Sequence, residues 1–140
     1  MEKNPTILIY FMELKPSLLS PLKRGDEAHI KGFILNKLYS LKAWVKPGGS
    51  PHRHHSITNI KKGYPKNHRG KFDKILKKMQ KDGLLQLFPH SGNGELHVCA
   101  ILMKDVIIMG LEIANKYRVC EGLPPLDVEF REVLLDLIEK

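Results

Sequence analysis

The chain is expected to fold as an α+β protein that is mainly α. Three observations lead there. Apolar residues recur at helical spacing in four separate stretches, 26–45, about 67–82, 104–119 and 127–138. Two short apolar runs, 84–88 and 96–101, bracket the turn cluster Ser91-Gly92-Asn93-Gly94, which is the pattern of a hairpin. A hydrophobic fraction of 42% over 140 residues is ordinary for a packed core and argues against wholesale disorder. The organisation that follows is an arm and linker over 1–25, a helix-and-hairpin domain over 26–102, and two C-terminal helices over 103–140.

Each element has a local reason. Ile7-Leu8-Ile9-Tyr10-Phe11-Met12 is a continuous apolar run, suited to a buried strand or a packed arm, and Pro16, Ser17, Ser20 and Pro21 make the next piece a linker. From Asp26 to Val45, Ile30, Phe33, Ile34, Leu38, Leu41 and Val45 fall on one helical stripe, and Pro47-Gly48-Gly49 ends it. Ser56 is placed to cap a short helix carrying Ile57 and Ile60, and Gly63-Tyr64-Pro65 turns out of it. Phe72, Ile75, Leu76 and Met79 are spaced i, i+3, i+4, i+7, one face of a helix that Asn67 would cap and Gly83 would stop. The stretch Lys104 to Val119 is apolar around most of its circumference. One domain face cannot bury such a helix, so a homodimer is expected to help cover it, the alternative being that the C-terminal helices complete a monomeric core. After Gly122-Leu123-Pro124-Pro125, Asp127 would cap a last helix bearing Phe130, Val133, Leu134, Leu137 and Ile138.

The net charge is +8, with a pI near 9.5. Its distribution is uneven. Residues 50–90 hold 10 Lys/Arg against 2 Asp/Glu, whereas residues 91–140 hold 5 against 9. The Lys-rich surface of a heat-adapted protein would also be basic, but it would not separate the signs this sharply. A polyanion held by the middle segment is the physical reading.

The order helix, Lys81-Asp82-Gly83-Leu84-Leu85, strand, Gly/Asn tip, strand resembles the second half of a winged helix-turn-helix domain, of the type found in prokaryotic and archaeal transcriptional regulators. The resemblance spans Asp26 to Ile101. It implies a two-stranded wing, a C-terminal helical extension used for pairing subunits, and double-stranded DNA as partner. The basic helix, about 67–82, would then enter the major groove. Asn67, His68 and Arg69 would offer amide, imidazole and guanidinium groups to base edges. Lys61, Lys62, Lys66, Lys71, Lys74, Lys77 and Lys78 would contact phosphates or the groove. The wing, with His90, Ser91 and Asn93 near its tip, has no Lys or Arg there, so its contacts are expected to be weak or made by the backbone. The same charge could instead grip RNA or another protein.

Other chemistry is poorly marked. His52, His54, His55 and His68 invite a metal-dependent nuclease reading, but no acid or strand completes the motif. There is no CxxC or HxxxH pair, so no metal ligand set is expected, and no cofactor motif or catalytic residue stands out. Cys99 and Cys120 sit among apolar neighbours and are expected to be free, buried thiols. No apolar run reaches a membrane-spanning length, and Thr6 to Met12 is short for a secretory leader; a cytoplasmic protein is expected.

Overall fold

The computed structural model describes residues 22–47, 54–89, 96–126 and 128–139. It is mainly helical with a small four-stranded sheet. The elements are α1 (Glu27–Ser40), β1 (Trp44–Val45), β2 (His55–Ser56), α2 (Ile57–Lys61), a 3₁₀ helix (Lys66–Lys71), α3 (Phe72–Lys81), β3 (Leu85–Pro89), β4 (Leu96–Ile101), α4 (Lys104–Cys120) and α5 (Val128–Glu139). None is long and apolar enough to cross a membrane.

The first helix ends five residues earlier than its stripe predicts. Lys42 adopts φ +58°, and Ala43 N–H returns to Leu38 C=O at 2.9 Å, closing the helix end. No glycine marks this stop, and a left-handed lysine costs about 1–2 kcal/mol. The compensation lies in the sheet. Trp44 and Val45 pair parallel to Ala100 and Ile101, with Ala100 N–H on Ala43 C=O and Leu102 N–H on Val45 C=O, both at 2.8 Å. Strand β4 is therefore the spine. It carries antiparallel β3 on one edge, in the register Leu85↔Ala100 to Pro89↔Leu96, and β1 and β2 in succession on the other. The first hairpin strand lies one residue later than expected, at Leu85–Pro89. The hairpin tip, with His90, Ser91 and Asn93, lies outside the described residues, as do the 1–21 arm, His52 and Asp127.

Helices α1 and α4 form the most intimate contact. A side chain at Gly32 would collide with Tyr117 and the carbonyl of Ile113, and one at Gly110 with the Tyr39 hydroxyl. The two helices approach closely because neither has a Cβ at its crossing point. Arg118 Nη1 donates to Asn36 Oδ1 at 2.8 Å beside this seam. Around it, Ile30, Ile34, Leu35, Leu38, Ile107 and Ala114 are wholly buried, and one core takes side chains from both 26–102 and 103–140. Helix α5 adds Leu134 to this core and sets Phe130 edge-on to Tyr39 and Trp44. Buried Asn115 holds the preceding loop, accepting from Leu126 N–H at 2.7 Å. The apolar helix α4 thus finds two partners, α1 and α5, within its own chain. Met103, Ile108, Met109 and Val133 stay exposed.

Candidate nucleic-acid interface

The basic segment begins with a well-formed cap. Ser56 Oγ accepts from Asn59 N–H at 3.1 Å and starts α2, as the sequence predicts. The turn after α2 is held by Arg69, whose Nε donates to Tyr64 C=O at 2.8 Å and whose Nη2 donates to Lys62 C=O at 3.0 Å. Residues 66–71 then wind as a 3₁₀ helix before α3 begins at Phe72. Asn67 therefore caps nothing; Pro65 precedes the 3₁₀ helix and Lys71 precedes α3, neither with a side-chain cap. With three residues per turn, Asn67 and Gly70 stack on one side rather than following the α-helical wheel. Gly70 has open space where a side chain would stand, so internal packing does not require it.

Helix α3 follows its sequence pattern closely. Phe72, Ile75, Leu76 and Met79 are all buried. It ends in a Schellman turn: Gly83 (φ +82°) returns N–H to Gln80 C=O, and Leu84 N–H reaches Met79 C=O, both at 3.0 Å. Beside it, a groove of about 340 Å³ lies between α2, α3 and the hairpin, lined by Lys61, Asp73 and Lys77 together with Leu76, Leu87 and Leu96.

The predicted contact residues divide into two sets. Four cations are tied into the fold. Lys61 pairs with Asp73 at 2.9 Å, Lys71 Nζ donates to Gly25 C=O at 2.9 Å, Lys78 pairs with Glu27 at 2.9 Å, and Arg69 spans the turn. The Nε/Nη2 edge of Arg69, one of the two that could read a guanine, is occupied. Glu27 is held below the usual carboxylate range by Lys78 and then Lys31, and Lys78 is raised by the same contact. The other set is free. Lys62, Lys66, Lys74 and Lys77 are exposed and make no ion pair with a described residue, and Asn67 is exposed beside them. Lys81, on the same face and not among the predicted contacts, joins them. His68 is half-buried, its ring lying where a Gly25 side chain would stand, next to Tyr64.

Among the described residues the histidines do not form one cluster. His54 Nδ1 faces His97 Nδ1 at 2.8 Å and stacks edge-on to Phe88, whereas His68 sits with Gly25 and Tyr64. His55 lies on β2 opposite Val98. His97 and Tyr64, like Lys81, are among the residues that sequence reasoning missed. Strand pairing alone brings His97 to His54 across 43 positions.

Tyr64 links the basic segment to the start of α1. Its hydroxyl oxygen accepts Gly25 N–H at 2.7 Å and lies 2.6 Å from His29 Nδ1. The hydroxyl proton is then available to His29 Nδ1, which leaves the imidazole proton on Nε2, facing Glu121 Oε2 at 2.8 Å. This hydrogen bond, and next Arg24, holds the Glu121 carboxyl below the usual range, while burial pushes the Tyr64 hydroxyl up. No family model, curated protein or solved structure matches the chain.

Proposed function

We propose that the protein is a cytoplasmic winged-helix module that binds double-stranded DNA and acts as a transcriptional regulator. The observation that carries this reading is the outer face of α3. Its inner face is core, while Lys74, Lys77 and Lys81 stand exposed, in no ion pair with a described residue. Free lysines on a rigid, anchored rod suit a phosphate-lined groove, because binding releases the counterions condensed there. Lys62 and Lys66 extend the same charge around the turn, and Asn67 supplies an amide for a base edge. Lys61, Arg69, Lys71 and Lys78 act on this reading as positioning residues, since their donors already hold α2, the turn and α1 in register.

Pairing of two copies is the second part of the proposal. Ile108 and Met109 on α4 and Val133 on α5 are exposed apolar groups on the C-terminal helices, the kind of surface a homodimer covers. Light scattering of the purified chain reads this directly: twice the 16.0 kDa chain mass is expected, and a monomer at all concentrations rejects it.

For DNA binding, the test is charge reversal. Lys74→Glu combined with Lys77→Glu should abolish the mobility shift of duplex DNA while leaving the melting temperature within a few degrees of the parent, since both sites are exposed surface. An unchanged shift would remove this face as the contact. Retained binding to structured RNA with none to duplex DNA would transfer the same surface to a different partner.

A further inference from the structure

We infer that His29, Cys120 and Glu121 form a binding site for one divalent transition-metal ion of the zinc class, at the point where the start of α1 meets the end of α4. The inference does not depend on nucleic-acid binding.

The donor atoms are already gathered. One ligand atom from each residue lies within 4.8 Å of the others. Zinc bonds of about 2.0–2.3 Å at tetrahedral angles place ligand atoms roughly 3.3–3.7 Å apart. Seating an ion therefore requires His29 and Glu121 to part slightly and the Cys120 side chain to swing inward. The set offers one imidazole nitrogen, one thiolate and one carboxylate oxygen, a borderline-soft combination that selects zinc or cobalt over magnesium or calcium.

The surroundings suit an ion. His29 is 2% exposed, and its ring is held from behind by Tyr64, so Nε2 is aimed at the site. With a metal on Nε2 the imidazole proton moves to Nδ1, where the Tyr64 oxygen has lone pairs for it and for Gly25 N–H. The two Glu121 oxygens are already divided: Oε1 pairs with Arg24 at 3.2 Å, while Oε2 faces His29. A metal on Oε2 leaves the arginine contact in place. Cys120 is exposed, and among the described residues its thiol makes only a 3.3 Å contact to Leu22 C=O, a weak bond that a thiolate gives up. Both Cys120 and Glu121 stand at the C-terminal end of the 17-residue α4, where the helix dipole favours a cation. The proton balance is simple. One proton leaves Cys120, and His29 exchanges one tautomer for the other.

The test uses the full chain and cobalt(II) as an optical probe. One equivalent should give a thiolate-to-cobalt charge-transfer band in the near ultraviolet and strong visible d–d bands, both erased by zinc. Cys120→Ser, at an exposed position, should keep the parent's circular dichroism, erase the charge-transfer band and weaken zinc binding at least about tenfold against a chromophoric chelator. Cys99→Ala should keep the band, because Cys99 is buried in the sheet. A variant with His52, His54 and His55 all changed to Asn should keep it too. A parent chain without the band, or a band that survives in Cys120→Ser, overturns the assignment.

Discussion

The α1–α4 seam and the outer face of α3 are built from similar residues and put them to opposite uses. At the seam the polar groups are paired. Arg118 sits on Asn36, His29 on Tyr64 and Glu121, and two glycines allow the helices to touch. On α3 the buried side is as apolar, but the other side carries Lys74, Lys77 and Lys81 in no ion pair with a described residue. Cations that are satisfied internally hold the molecule together, while those left free are available to a partner. Arg69 and Lys71 lie a few positions from Lys74 in sequence, yet belong to the first group.

The strongest way to break the comparison is to attack the seam. Gly32→Leu would drive a side chain into Tyr117 and the Ile113 carbonyl. Overpacking of this kind costs about 1–3 kcal/mol, and backbone in the way puts the cost at the upper end. A thermal melt should fall by roughly 5–10 °C, and DNA affinity should fall only as far as the folded fraction does. A specific loss of affinity in a stably folded variant would show that the seam does more than support.

A smaller effect is expected from Ser56→Ala, which removes the cap of α2 and should cost about 1 kcal/mol. Urea denaturation reads it as a lowered midpoint with unchanged slope. If stability is unaltered, the short helix does not depend on its cap.

The smallest effect is the acid response. Glu27 and Glu121 have folded-state values lowered from 4.5, by Lys78 and by His29 respectively. The unfolded chain therefore holds these protons more tightly. The stabilisation is present above pH 4.5 and is lost as pH falls through the lowered folded values. Both carboxylates are partly exposed, so the loss is modest. Glu121→Gln should flatten the acid limb of a stability–pH profile; an identical limb would remove Glu121 as a contributor.

Much of this was legible in the chain because local rules carried it. The i, i+3, i+4, i+7 spacing of Phe72 to Met79 marks the buried face of α3, Gly83 its end, and Ser56 the start of α2. What escaped has non-local causes. The α1 helix stops at Ser40, before left-handed Lys42, with no glycine or proline to announce it, because β4 lies ready to pair with Trp44 and Val45. Residues 66–71 wind as 3₁₀ rather than α while Arg69 ties the turn behind them. Cys120, expected inside, is exposed because it falls in the last turn of α4, and no spacing motif covers the long stretch of chain between it and His29.

The central claim is that Lys74, Lys77 and Lys81 of α3, in no ion pair with a described residue, meet phosphates. Measuring duplex affinity against salt concentration, for the parent and for Lys74→Ala with Lys77→Ala, tests it most directly. Removing one lysine–phosphate pairing should lower the slope of log K against log salt by about one, so the double variant should show a slope shallower by roughly two at unchanged fold stability. Parallel lines with equal affinity would contradict the account.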